Sequence, residues 1–254
     1  STSPARRSGP SATASARIVP ASSSLPSIMH SYYGKEYNRY IGTGWQSSNI
    51  IVPSEGNGTI PIELIQYNSG AGKTTAYWKD PQGKVIAEKS FTSPECLGVY
   101  WDNVPCVWNV PAIEAGKYTL TFGGNGSWGV TINRGVADDL SKGRTVYGQT
   151  AYFYVPQGTL NFVFSIAGGG NGDNTINLTA PDGAVHNFGN TAKSVLEAGI
   201  KNPTAGIWKV TYKIGYSQGG RANLLGIAPL IWHDPQYLLV PASAVPFPTP
   251  SPSP

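Results

Sequence analysis

Two cysteines are the first residues in this chain whose type and spacing could do chemistry. Cys96 and Cys106 are separated by nine residues, and the chain of 254 residues has no other cysteine. A structural zinc site needs four ligands at shorter spacings, and none of the three histidines (His30, His186 and His233) lies near this segment. We therefore predict a local disulfide. Because disulfides persist in oxidising compartments, we expect a secreted or cell-surface protein.

Three aromatic residues lie in or beside the segment that this disulfide would close. Tyr100 and Trp101 lie between the cysteines, and Trp108 follows the second one, with no strand pattern around them. Sugar rings present apolar C–H faces that stack on aromatic planes, and rigid placement lowers the cost of ordering such a site. We predict that these three residues bind a ligand. The alternative is that they close the end of a β-sandwich or contact a second domain.

The acidic residues are few and scattered, which argues against catalysis. The 14 carboxylates occur singly except for Asp138-Asp139, a pair that we expect to be solvated, whereas a glycosidase needs two carboxylates facing each other across a cleft. His186 and His233 each have an aspartate nearby, but the chain has no Gly-x-Ser-x-Gly nucleophile elbow. We predict a protein without enzymatic activity.

Asp173 and Asp182 are weak candidates for a metal site. Asp173 belongs to the polar stretch Asn171-Gly-Asp-Asn174, and Asp182 lies in the following turn. Such oxygen-rich segments can bind Ca²⁺, which takes six to eight oxygen ligands, but one or two carboxylates in a Gly-rich loop are more often turn formers. We predict no cofactor, with a structural Ca²⁺ as the alternative.

Three Asn-x-Ser/Thr sequons are candidates for glycosylation. They begin at Asn57, Asn125 and Asn177. Such sequons are compatible with a secreted protein, although a chain rich in Ser, Thr and Asn also produces them by chance.

The distribution of charged and apolar residues argues against a nucleic-acid partner and against a membrane span. The net charge is +4, but the only dense cationic group is Arg6, Arg7 and Arg17, whereas a nucleic-acid-binding protein clusters its Lys and Arg on one face or along a groove. No stretch approaches 18 consecutive apolar residues. We expect neither a nucleic-acid partner nor a membrane span.

Composition and turn chemistry predict an all-β protein. Charged residues make up 13% of the chain, about half the usual share, while 40% hydrophobic residues supply a core and 31 Gly and 21 Pro supply turns. Helical periodicity is nearly absent, and we expect at most a helical turn or two in 136–141 and in 192–198. Alternating segments between turn residues predict strands at 60–67, 74–79, 117–122, 128–133, 151–155, 160–166, 175–179 and 207–212.

The two halves of the chain repeat each other. The turn glycine and the following Ala-Gly pair are 33 residues apart in the first half (Gly83 to Gly116) and 23 apart in the second (Gly183 to Gly206). The ten extra residues of the first half contain the cysteine segment. The predicted alignment pairs Pro81 with Pro181, Gly116 with Gly206, and Ile51-Val-Pro53 with Tyr154-Val-Pro156.

Three motifs of the second half carry a family resemblance: Tyr154-Val-Pro-Gln-Gly-Thr159, Pro181-Asp-Gly-Ala-Val185 and Pro203-Thr-Ala-Gly-Ile-Trp-Lys-Val210. Their order resembles the small jelly-roll modules typified by pre-peptidase C-terminal domains, and related sandwiches include many carbohydrate-binding modules. The resemblance covers 145–215 well and 45–133 more loosely. It implies an accessory module of a secreted protein, with no catalytic residues to carry over.

These observations predict an all-β chain of two tandem antiparallel β-sandwich (jelly-roll-like) domains with extended Ser/Pro-rich tails. The Pro-rich end of the chain should adopt an extended conformation and act as a spacer. The predicted units are an N-terminal Ser/Ala/Pro/Arg-rich arm and lead-in (1–40), a first sandwich with the disulfide loop (41–135), a linker (136–144), a second sandwich (145–240) and a tail (241–254).

The leading functional prediction is a non-catalytic extracellular protein that binds carbohydrate as an accessory module. Its partner would be a polysaccharide or a cell-surface glycan. One alternative is a structural subunit of an extracellular filament, sheath or surface layer, in which the terminal arms bind other copies of the chain. A second alternative is a secreted hydrolase with an unrecognised site.

Overall fold

The structure of the protein is a computed structural model. It describes residues 16–18, 30–32, 35–37, 40–43, 48–66, 72–92, 96, 98–99, 102–103, 105–141, 144–146, 148–168, 174–190, 195–214 and 220–241.

The described residues form β-strands joined by turns, and they contain no helix. None of these residues therefore belongs to a helix long and apolar enough to cross a membrane. In chain order the strands are β1 (Ala16–Ile18), β2 (His30–Tyr32), β3 (Lys35–Tyr37), β4 (Tyr40–Thr43), β5 (Ile50–Ser54), β6 (Gly58–Gln66), β7 (Thr74–Lys79), β8 (Val85–Phe91), β9 (Gly98–Val99), β10 (Asp102–Asn103), β11 (Cys106–Ala112), β12 (Gly116–Gly124), β13 (Ser127–Thr131), β14 (Ala137–Asp139), β15 (Arg144–Val146), β16 (Gln149–Val155), β17 (Asn161–Gly168), β18 (Asn174–Thr179), β19 (Val185–Asn190), β20 (Val195–Lys201), β21 (Gly206–Lys213), β22 (Gly220–Leu225), β23 (Leu230–Ile231) and β24 (Leu239–Pro241).

The described residues of the two segments expected to hold helical turns contain strands and no helix, so that expectation is wrong for them. The 136–141 segment contains β14, and the 192–198 segment overlaps β20. In β20 buried Leu196, Ala198 and Ile200 alternate with exposed residues. This alternation of two is the strand period, and it decides against a helix.

The first sandwich packs a four-stranded sheet against a six-stranded one. The four-stranded sheet has the order β11-β6-β13-β4, and the six-stranded sheet has the order β23-β14-β5-β12-β7-β8. Phe122 on β12 stacks on Trp128 on β13, with ring centroids 3.9 Å apart, so this contact joins the two sheets. The alternating apolar residues of both sheets bury their side chains between them.

The second sandwich is built from two four-stranded sheets. Their orders are β15-β22-β17-β20 and β16-β21-β18-β19. Phe153 on β16 meets Phe162 on β17 edge to face, with centroids 5.3 Å apart. The chain is therefore an all-β protein of two tandem antiparallel sandwiches, as the sequence predicted.

Strand register shows that the second sandwich repeats the first. Leu120 on β12 pairs with Trp78 on β7, and Val210 on β21 pairs with Leu178 on β18. The β12-to-β21 offset is 210 − 120 = 90 residues, and the β7-to-β18 offset is 178 − 78 = 100 residues. The same offsets relate Gly116 to Gly206 and Pro81 to Pro181, as predicted, and the ten-residue difference lies in the segment with the cysteines.

One part of the predicted alignment is wrong by two residues. Val52 pairs with Tyr118, and Phe153 occupies the equivalent position opposite Trp208. The counterpart of Pro53 is therefore Tyr154 and not Pro156. The shared Val-Pro dipeptide misled the alignment, because the structural repeat is set by backbone pairing and not by the position of proline.

The two glycines that begin β12 and β21 have a specific conformational reason to be glycine. Gly116 has a φ of 155° and Gly206 a φ of 132°. A Cβ on Gly116 would lie 2.6 Å from Cγ of Pro81, and one on Gly206 would lie 2.9 Å from Cγ of Pro181. In both halves, therefore, the turn proline packs directly on the backbone of the glycine.

The last described segment of the chain ties the two sandwiches together. β23 pairs with β14 in the first sandwich, and the next residue, Trp232, exchanges two backbone hydrogen bonds with Tyr152 on β16 of the second (2.7 and 3.0 Å). The buried side chains of both sandwiches form one contiguous cluster. Farther along, β24 pairs with β1, so residues from near both ends of the chain lie side by side.

Candidate functional site

The structure contains the predicted disulfide. Cys96 and Cys106 are bonded, with their Cα atoms 5.0 Å apart. The backbone N–H of Gln66, at the end of β6, donates to the carbonyl of Cys96 (2.7 Å), and Cys106 begins β11. The base of the disulfide loop is thus anchored to two neighbouring strands of the first sandwich. Tyr100 and Trp101, the predicted ligand-binding residues of this loop, lie outside the described residues.

Trp108 lies in a strand, so the expectation that no strand surrounds it is wrong. It is the third residue of β11, where it pairs with the fully buried Ile62. Cys106, Trp108, Val110 and Ala112 alternate with more exposed residues, which places the Trp108 side chain on the inward face. The ring is half-buried and packs against the core. Its role in ligand binding stays a prediction.

The three sequon asparagines lie in different environments. Asn57 is exposed in a turn with a φ of 61°, and Asn125 is exposed but accepts a hydrogen bond from the Lys73 backbone through Oδ1 (3.0 Å). Asn177 is half-buried in the middle of β18. Glycosylation of these residues stays a prediction.

The weak calcium candidates do not form a metal cluster in the described part of the chain. Asp173 lies outside it. Asp182 accepts a hydrogen bond from the Ala184 backbone through Oδ1 (3.0 Å), which is a turn-forming contact. Among the described residues no group of three or more His, Cys, Asp or Glu side chains could hold a metal ion.

Asp138 is buried, so the expectation of a solvated acid pair is wrong for this residue. Its side chain is 0% exposed. The Tyr40 hydroxyl donates to Oδ2 (2.6 Å), and the Asn49 backbone N–H donates to Oδ1 (3.0 Å). The Tyr40 ring in turn stacks on Trp232, with centroids 4.6 Å apart. Asp138 thus joins β14 to β4. Through Tyr40 it is also linked to Trp232, whose backbone bonds to the second sandwich.

Sequence reasoning missed an outward-facing group on the six-stranded sheet. Along β7 the side chains of Ala76 and Trp78 are buried, so Thr75, Tyr77 and Lys79 face outward. Tyr77 pairs with Thr121 on β12 and with Glu88 on β8, which places the three side chains in one row. We define the Tyr77 face as Thr75, Tyr77, Glu88, Ser90, Thr121 and Gly123.

The Tyr77 ring lies against the backbone of the neighbouring strand. A Cβ on Gly123 would lie 3.1 Å from Cε2 of Tyr77 and 3.7 Å from its hydroxyl oxygen. The missing side chain of Gly123 leaves room for the ring, which is half-buried as a result. On the adjacent row the hydroxyls of Thr75 and Ser90 are 2.9 Å apart and hydrogen-bonded.

This arrangement combines an aromatic plane with polar groups on a stiff support. The ring has one side against the sheet, and the row carries a carboxylate and hydroxyl groups that can exchange hydrogen bonds with a polyhydroxylated ligand. The sequence signal was the alternation Thr-Ala-Tyr-Trp, with Trp78 inward and Tyr77 therefore outward. What the sequence did not show is that Gly123 lies diagonally across from Tyr77 on the next strand.

Comparison with known proteins adds little to these observations. No protein-family model and no curated protein matches the chain. Among solved structures, the chain is similar to the N-terminal CBM22-1-CBM22-2 tandem domain from Paenibacillus barcinonensis Xyn10C. The match has 9% sequence identity and a TM-score of 0.20, and it covers 87% of this chain and 91% of that chain. At this identity and score the similarity supports no conclusion, and the class of tandem β-sandwich protein rests on the sheet topology.

Proposed function

We propose that this protein is a non-catalytic carbohydrate-binding protein and that the Tyr77 face is a binding surface for a polysaccharide chain. The observation that carries this proposal is the Tyr77 ring held against Gly123 on an outward, polar sheet face. The apolar C–H face of a sugar ring can cover the phenol ring, while Glu88 and Thr121 on the same row can bond its hydroxyl groups.

The support of the Tyr77 ring favours binding energetically. A side chain that packs against the sheet before the ligand arrives has less rotamer freedom to lose on binding. The underlying strand β7 lies between β12 and β8 in a six-stranded sheet, so its backbone is hydrogen-bonded on both edges. An outward sheet face of this kind suits an extended polymer better than a small molecule, which binds in a concave pocket.

The proposed location is extracellular. The Cys96–Cys106 disulfide supports this proposal, because disulfides are rare in reducing compartments. An accessory role within a larger secreted protein fits a module whose surface offers a binding face.

Retention on insoluble polysaccharides tests the proposal. Wild type should be retained on at least one of cellulose, chitin and starch granules, and Tyr77→Ala should weaken that retention. Loss of a partly buried aromatic contact corresponds to on the order of 1–3 kcal/mol, or roughly 5- to 150-fold in affinity. Asn177→Ala is the matched control, because Asn177 occupies the Tyr77 position in the second sandwich. Wild-type protein that binds none of these polysaccharides would contradict the proposed function.

The disulfide loop offers a second location for the same function. The predicted ligand-binding pair, Tyr100 and Trp101, would then carry the affinity. Trp101→Ala should abolish retention in that case, while Tyr77→Ala should leave retention unchanged. Running both variants beside wild type assigns the binding to one surface or to both.

A further inference from the structure

The outward face of the second sandwich carries a polar row on small central residues. β17 lies in the middle of the sheet β15-β22-β17-β20. Phe162, Phe164 and Ile166 are fully buried in the core, so Val163, Ser165 and Ala167 point outward. All three of these side chains are short.

Longer polar side chains stand on both sides of this central strand. Ser165 pairs with Glu197 on β20 and with Asn223 on β22, and Ala167 pairs with Arg221. Glu197 and Arg221 are exposed, and Asn223 is half-buried. We define the second-sandwich groove as Val163, Ser165, Ala167, Glu197, Arg221 and Asn223.

Ser165 is the residue at the floor of the second-sandwich groove. It is only 8% exposed and lies between Glu197 and Asn223 in its row. A serine hydroxyl can both donate and accept a hydrogen bond. The floor of the groove therefore offers a donor and an acceptor to a ligand that reaches between Glu197 and Asn223.

We propose that the second-sandwich groove is a second carbohydrate site, which binds sugar hydroxyl groups through Ser165, Glu197 and Asn223. This inference rests on the proposed function of the chain. A carboxylate accepts hydrogen bonds from two neighbouring hydroxyls, and an amide both donates and accepts, so the row matches a vicinal diol. The next row, Gly199, Val163 and Leu225, gives an apolar strip for the C–H face of the same sugar.

The equivalent face of the first sandwich lacks this groove. By strand register, Glu63 takes the place of Ser165, with Val107 and Thr131 on its two sides. Ile65, the counterpart of Ala167, is fully buried although its position faces outward. The long side chain of Glu63 stands at the floor position, and the next outward residue, Ile65, is buried. We therefore place the groove in the second sandwich alone.

The two proposed sites differ in chemistry, which makes them separable. The Tyr77 face has an aromatic ring on an outward sheet face, whereas the outward positions of β17, β20 and β22 carry no aromatic residue. We expect the groove to bind single soluble chains and the Tyr77 face to dominate on insoluble polymer.

Titration calorimetry of the full chain with soluble hexasaccharides tests the second site. The probes are cellohexaose, xylohexaose and chitohexaose, each titrated into wild type, Tyr77→Ala, Glu197→Gln and Asn223→Ala. We expect Tyr77→Ala to keep binding to one of the probes, and Glu197→Gln and Asn223→Ala each to weaken that binding by about tenfold or more. Glu55→Gln is the charge-matched control, because Glu55 is exposed in a turn of the first sandwich.

The outcomes separate this inference from the proposed function. If Tyr77→Ala removes all binding while Glu197→Gln and Asn223→Ala bind as wild type does, the second site is overturned and the proposed function stands. If wild type binds neither the hexasaccharides nor the insoluble polymers, both proposals fail. Thermal melts of each variant check the fold, and because Glu197→Gln is nearly isosteric, it remains informative if Asn223→Ala is unstable.

Discussion

The two sandwiches have the same strand register but different outward faces. At the position of Tyr77 the second sandwich has Asn177, and at the position of Gly123 it has Lys213. At the floor position of the other sheet, Glu63 in the first sandwich corresponds to Ser165 in the second. Inward positions, in contrast, are mostly apolar in both, with Gln66, Thr74, Gln149 and Asn174 as buried polar exceptions. Backbone pairing and the core therefore constrain one set of positions, while the outward positions are free to carry the chemistry that distinguishes the halves.

The two halves also differ in the covalent and backbone links that stabilise them. The first has a disulfide and an insertion, and it shares the C-terminal segment with the second through β23 and Trp232. In consequence the sandwiches share one buried cluster and should behave as one cooperative unit. Changes at Trp232, the disulfide, the turn glycines and Tyr152 test this unit and the equivalence of the halves.

Trp232→Ala should have the largest effect on stability. The side chain is fully buried and stacks on Tyr40, so its removal should cost about 3–5 kcal/mol. The Trp232 ring stacks on Tyr40 of the first sandwich, while its backbone bonds to Tyr152 of the second persist in the variant. Loss of the ring should therefore weaken the attachment of this segment to the first sandwich, and we expect one thermal transition to separate into two. Calorimetry measures this, with Trp208→Phe, deep inside the second sandwich, as a control that should lower the transition temperature without dividing the transition. A single transition for Trp232→Ala would show that the halves are coupled elsewhere.

Reduction of the disulfide should destabilise the chain, with its largest local effect in the first half. Closing a short loop stabilises a fold by roughly 3 kcal/mol in the chain-entropy model. We expect the shared unfolding transition to move to lower denaturant concentration after reduction, with local protection falling more in the first sandwich than in the second. Hydrogen exchange of β11 against β20, its counterpart in the second sandwich, measures the difference. Thiol titration of the unfolded, unreduced protein should find no free thiol, and two reactive thiols would contradict the bond.

The turn glycines test whether the repeat is energetic as well as geometric. Gly116→Ala and Gly206→Ala each place a side chain at a strongly positive φ and against a proline ring. We expect each to cost about 2–3 kcal/mol, with Gly116→Ala the more destabilising because its proline is closer. Chemical denaturation of both variants measures this. Gly83→Ala, where a Cβ would meet no neighbour within 4 Å, isolates the backbone contribution.

Local pattern predicted much of this fold. Thr74–Lys79 was predicted to the residue, because β7 alternates cleanly between buried and outward side chains. The pairing of β23 with β14, in contrast, joins residues about 90 positions apart in the sequence. Nothing in the dipeptide Leu230-Ile231 indicates which strand it pairs with. The Tyr77 face was not predicted for the same reason, because the Tyr77 ring on β7 contacts Gly123 on the neighbouring strand β12. Burial of Asp138 likewise depends on Tyr40, which is remote in sequence.

The smallest expected effect concerns Tyr152, which contacts the C-terminal segment from the second sandwich. Burial raises the pKa of Tyr152 to about 12, and the negative charge of Asp234 adds to the shift. The ordinary value is 10.0, so the folded state holds the phenol proton more tightly than the unfolded state does. Stability from this group is therefore complete below about pH 10 and is lost as the pH rises towards 12.

Tyr152→Phe sharpens this prediction, because it removes the titrating group and keeps the ring. The hydroxyl is buried and has no hydrogen-bond partner within the described residues, so we expect a change of less than about 1 kcal/mol at neutral pH. Between pH 10 and 12 the variant should lose less stability than wild type, as measured by denaturation at several pH values. Tyr237→Phe, a partly buried tyrosine of the same segment, controls for tyrosine ionisation in general. Equal slopes for Tyr152→Phe and wild type would show that the Tyr152 phenol is not held neutral by its place between the sandwiches.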